Sequence, residues 1–148
     1  MKPTITWIVA ADGGRARIFE HRGPGKGLVP IPGLSFEDAH LRTQDINTDR
    51  PGRTNSSEGR GSAMDPQTDA AEQRELAFAS LVAATLKAKF GEHAFERLII
   101  AADPTTLGSL RRALGAALDS SIVAEVPKDL TKVPLAALGQ HFDKLLAV

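Results

Sequence analysis

The alternation of apolar and polar positions divides the chain into a strand-rich first third and a helix-strand remainder. From Ile5 to Ala11 both alternating faces are apolar or small, Ile5, Trp7 and Val9 against Thr6, Ile8 and Ala10. That is the pattern of a central strand covered on both sides. Asp12-Gly13-Gly14 then predicts a tight hairpin built on residues that tolerate positive φ. A second strand follows from about Arg15 to His21, with Ala16 and Ile18 facing opposite to Arg17 and Phe19. Gly23-Pro24-Gly25-Lys26-Gly27 marks a turn, and Leu28 to Phe36 reads as a third strand. Pro30 and Pro32 cannot donate to a ladder, so this strand belongs at an edge or is irregular.

Beyond residue 64 the period lengthens. Asp65-Pro66 and Thr68-Asp69 are helix-start signals, and Glu72, three residues after Asp69, suggests a capping box. Phe78, Val82, Leu86 and Phe90 recur every four residues beside Ala79 and Ala83, and Gly91 stops the helix. Arg97 to Ala102 is a short buried strand, and Asp103-Pro104 opens a helix with a stripe of Leu107, Leu110, Leu114 and Leu118. Ser121 to Val126 is a further buried strand, and Pro134 opens a last helix carrying Leu138, Phe142, Leu145 and Leu146. The order β-β-β-α-β-α-β-α predicts an antiparallel meander joined to parallel crossovers. The fold class expected is α/β, a ribonuclease H-like mixed sheet with helices on its faces and a long loop between strand 3 and helix 1.

That loop, His40 to Met64, reads HLRTQDINTDRPGRTNSSEGRGSAM. Its only other apolar side chains are Leu41, Ile46 and Ala63, so it lacks the means to bury itself and is expected at the surface as a flexible segment. Four arginines, Arg42, Arg50, Arg53 and Arg60, stand against Asp45, Asp49 and Glu58, which leaves one positive charge. Glycines at Gly52, Gly59 and Gly61 permit close backbone approach, and guanidinium groups bind phosphate in a bidentate fashion. Arg42, Arg50, Gly52, Arg53, Gly59, Arg60 and Gly61 are therefore the candidate residues for binding RNA or another partner. Arg111-Arg112 reads instead as the wet face of a helix, and Trp7 as core.

Composition narrows the classes. At 148 residues the chain suits one domain, residues 1–148. Eighteen basic and eighteen acidic side chains give no global field that would draw it to nucleic acid or an anionic membrane. The absence of cysteine removes disulfides, thiol nucleophiles and Cys-ligated metals. No run approaches the roughly 18 apolar residues of a membrane span, and the N-terminus lacks the features of a signal peptide, so a cytoplasmic protein is expected. The histidines, at 21, 40, 93 and 141, have no metal-like spacing and suit solvated or capping positions.

Four segments carry a resemblance over nearly the whole chain: TWIVAADGGRARIFE, NTDRPGRTNSSEGRGSAMDPQTDAAEQ, RLIIAADPTTLGSLRRAL and VAEVPKDLTKVP. They resemble the bacterial host-attachment proteins, a family named for a role in attachment of bacteria to host cells. That family is in turn similar to the central domain of archaeal and eukaryotic peptide-chain release factors, whose long loop carries a Gly-Gly-Gln tip into the ribosome. Here the loop has Gly59-Arg60-Gly61 and no Gly-Gly-Gln. The resemblance implies a non-catalytic RNA- or ribosome-associated module without a cofactor. Its alternative is a protein-interaction role in attachment. A third reading is a metal-dependent nuclease using Asp12 and Asp103 at strand ends with Glu72 or Asp69. The turn at Asp12 and the helix starts at Asp69 and Asp103 account for the same residues separately.

Overall fold

The computed structural model describes residues 4–38, 66–143 and 145, with side chains from residue 70 onward in the second segment. Five strands form one sheet in the order β3-β2-β1-β4-β5. β1 (Thr6–Ala11) is buried at all six positions and sits in the middle, as its two apolar faces predict. It pairs antiparallel with β2 (Arg15–His21) and parallel with β4 (Arg97–Ala102). β5 (Ile122–Val126) continues parallel to β4 at one edge. β3 (Val29–Glu37) closes the other edge antiparallel to β2, with a register break opposite Arg17 and Phe19 where its prolines and Gly33 (φ 81°) lie. The sheet is mixed, and the expected meander and crossovers are both present.

Helices α1 (Pro66–Gly91) and α2 (Pro104–Leu114) cover one face. Phe78, Ala79, Val82, Ala83 and Leu86 of α1 are buried there against Trp7, Val9 and Ile18. The stripe with a spacing of four is therefore the core-facing side of α1. Trp7 stacks on Phe95, with ring centroids 4.7 Å apart, and its indole N–H donates to Glu20 at 3.2 Å. On the other face Ile8, Ala10, Phe19, Ile99 and Ala101 meet Leu130, Leu138 and Phe142 of the C-terminal segment. That segment contains only one short helix, α3 (Leu135–Leu138), followed by a 3-10 turn at Gly139–Phe142. Leu145 is exposed, and Leu146 lies outside the described residues.

Several local expectations are corrected. α1 begins at Pro66, so Asp69 and Glu72 fall inside it and are not its cap. α2 ends at Leu114, where Gly115 takes φ 67°, and Leu118 is buried from a separate 3-10 turn. α1 does end at Gly91, as expected, although the residue that takes positive φ there is His93 (φ 63°). His21 is neither solvated nor a cap: it is 4% exposed in β2.

Candidate functional site at the carboxyl end of the sheet

The connections from β1 and β4 leave in opposite directions across the sheet, one to β2 and the other through α2 to β5. In open α/β sheets such a switch point, at the carboxyl ends of parallel strands, is where ligand sites form. Asp12 ends β1 and Asp103 ends β4 at this place.

The Asp12-Gly13-Gly14 hairpin is closed by its own aspartate. Asp12 Oδ1 accepts from the Gly14 N–H at 2.8 Å, and the Asp12 N–H donates to the Arg15 carbonyl at 2.8 Å. Neither glycine has positive φ, which corrects the expected reason for them. A Cβ at Gly13 would lie 2.7 Å from Glu75 Oε2, so the end of that side chain would have to move aside. Asp103 caps α2 by accepting the Thr106 N–H at 3.2 Å, as the Asp-Pro start predicts.

Glu75 has no signature in the sequence, because a glutamate on the polar side of a helix carries no signal until the hairpin is placed beneath it. Its carboxyl is pushed above the ordinary glutamate value of 4.5, first by partial burial and then by the charges of Asp103, Glu72 and Asp12. Opposite, the segment after β5 is bound in by Arg17. Its guanidinium Nη1 donates to the carbonyls of Thr131 and Val133, both at 3.0 Å, and lies 5.0 Å above the Phe19 ring. The Thr131 hydroxyl lies 2.6 Å from Asp129 Oδ1 and 3.3 Å from Asp12 Oδ2. VAEVPKDLTKVP is thus a strap pinned to β1 and β2.

Residues 39–65 join the fold at this same end. β3 runs out at Glu37, paired with Arg15, and the Asp38 N–H donates to the Gly14 carbonyl at 2.8 Å. α1 brings the chain back with Arg74 ion-paired to Asp38 at 3.0 Å. Arg42, Arg50, Gly52, Arg53, Gly59, Arg60 and Gly61 all lie outside the described residues. Asp12, Glu75 and Asp103 come together, but among the described residues no group of three His, Asp or Glu side chains is placed to hold a metal ion. No described helix is long and apolar enough to cross a membrane. Arg111 is on the wet face of α2, as expected, with a bidentate pair to Glu125 at 2.7 and 3.0 Å.

These features define a mixed five-stranded α/β protein whose carboxyl end is lined by carboxylates and roots a long polar connection. The family described as "Protein required for attachment to host cells" matches residues 7–142, and the chain belongs to it. No curated protein matches. A solved structure titled "pCBH ParM non-polymerisable quadruple mutant" is similar in fold, with a TM-score of 0.50 at 12% identity. The match covers 96% of this chain and 48% of that one, so this chain spans about half the length of that protein.

Proposed function

We propose that this chain is a non-catalytic binding module acting in attachment through a protein partner, which it contacts with the stretch 40–64 and the carboxyl end of the sheet. The observation that carries this is where the stretch is rooted. It leaves after Asp38, which is bonded to the Asp12-Gly13-Gly14 hairpin, and is followed by α1, the helix that carries Glu75 over that hairpin. Carboxylates at the roots disfavour a polyphosphate lying against the sheet, whereas a polypeptide can offer both charges. The non-catalytic reading is supported by the engagement of Asp12 in its hairpin and of Asp103 in the α2 cap. The strand order, with an antiparallel β2 beside parallel β1, β4 and β5, supports a ribonuclease H-like assignment.

A ribosomal RNA partner is the second reading, and Arg50, Arg53 and Arg60 among glycines without apolar bulk favour it. One experiment separates the two. A photo-crosslinking amino acid is placed at Arg53 in living cells, with the same probe at exposed Val123 as control. A discrete polypeptide adduct from position 53, insensitive to ribonuclease, is the expected result. A ribonuclease-sensitive adduct that leaves ribosomal fractions as salt rises establishes the RNA reading instead. Equal labelling from both positions overturns both.

A further inference from the structure

The charges of Asp12, Glu72 and Asp103 bear on the Glu75 carboxyl near the carboxyl end of β1 and β4. Glu75 reaches from α1 over the hairpin, so close that a Cβ on Gly13 would lie 2.7 Å from Oε2 and 2.9 Å from Cδ. Asp12 lies in that hairpin, Asp103 at the α2 cap, and Glu72 one turn before Glu75 on the same helix. Among the described residues, Arg74 pairs with Asp38 and Arg15 with Glu37. On the C-terminal strap, Arg17 serves the carbonyls of Thr131 and Val133, and Asp129 approaches Asp12 across the Thr131 hydroxyl. Among the described residues Glu75 has no ion-pair partner.

We propose that Glu75 is a proton-operated latch between α1 and the β1–β2 hairpin: protonated, it lets α1 rest on Gly13, and ionised, it holds the helix off. Geometry supplies the coupling. The residues from Glu72 to Ala77 are exposed, and continuous burial begins only at Phe78, so the start of α1 has little apolar packing to resist the repulsion. Like charges gathered at a site disfavour ionisation, and partial desolvation acts in the same direction. Because the folded value lies above the unfolded one, the stabilising contribution is complete below 4.5 and is lost as pH rises through the folded value. α1 begins at Pro66, nine residues before Glu75, so the latch acts on the helix that follows the stretch 39–65. The inference does not depend on which partner the stretch meets.

Amide hydrogen exchange tests it, at about pH 4 and about pH 8 and corrected for the intrinsic rate. In the wild-type chain, peptides covering residues 66–77 and the hairpin are expected to be several-fold better protected at the lower pH, with β4 unchanged. Glu75→Gln, which is neutral at both, is expected to show the acid level of protection throughout. Wild-type protection that does not vary with pH, or a change shared by β4, overturns the latch. So does an unaltered pH response in Glu75→Gln.

Discussion

Replacing Arg17 by methionine keeps the aliphatic stem over Phe19 and removes only the guanidinium. What is lost is specific: two hydrogen bonds to the carbonyls of Thr131 and Val133, each 3.0 Å long, and a cation 5.0 Å from the Phe19 ring centre. A hydrogen bond from a charged donor contributes roughly 1.5–3 kcal/mol, and an exposed cation–π contact roughly 0.5–1 kcal/mol. Arg17 is only half-buried, so the low end of each range applies, and water partly re-solvates the freed carbonyls. The expected loss is about 2–3 kcal/mol, a large share of the roughly 5–15 kcal/mol of a folded domain. Urea unfolding followed by Trp7, the single tryptophan, reads it directly. Hydrogen exchange should also show residues 127–133 opening locally before the rest, since the strap loses its pin while Leu130 keeps its apolar seat. Arg17→Lys, which keeps the charge but loses the planar fork, is expected to fall between the two. A loss under about 0.5 kcal/mol in Arg17→Met would refute the reasoning, because effects of that size are those of ordinary surface substitutions.

Phe95→Ala removes a ring that is 1% exposed and stacked between Trp7 and Phe90; about 3–5 kcal/mol of stability should be lost, with a red-shifted Trp7 emission. Asp103→Ala should cost about 1 kcal/mol through the lost α2 cap, whereas Asp103→Asn should cost little. The asparagine variant also removes a charge beside Glu75, so the Glu75 carboxyl should titrate closer to its ordinary value by carbon-detected NMR. Gly13→Ala should cost under about 1 kcal/mol, because the tip of Glu75 can swing away, and the loss should disappear in a Gly13→Ala, Glu75→Ala double variant.

The strands were legible because their information is local. β1 shows apolar residues on both faces, β2 shows a clean alternation, and the prolines of β3 mark an edge; each appears in the structure where the pattern puts it. Boundaries set by competing signals were less legible. Asp69 and Glu72 have the spacing of a capping box, but Pro66 fits the first helical turn and the helix starts there. At the far end Gly91 is the obvious stop, yet the left-handed residue is His93, with the Ala94 N–H returning to the Lys89 carbonyl at 3.0 Å.

The site divides along the same line. Asp12 and Asp103 announce themselves as strand-end acids, because a turn and a proline-led helix leave signatures in sequence. Glu75 and Arg17 do not, since each acts on a partner far away in the chain: Glu75 on Gly13, and Arg17 on carbonyls more than a hundred residues downstream. What joins these four is the switch point between β1 and β4, a property of topology that no local window contains. The consequence bears on the polar stretch itself. Its arginines are legible in the sequence, whereas the carboxylates of Asp12, Glu75 and Asp103 are brought near one another by the fold where the stretch leaves it. On the reading proposed above, a partner has to satisfy both guanidinium groups and carboxylates. A protein surface with mixed charge does so more readily than a phosphate backbone, and that difference gives the cross-link at Arg53 its discriminating power.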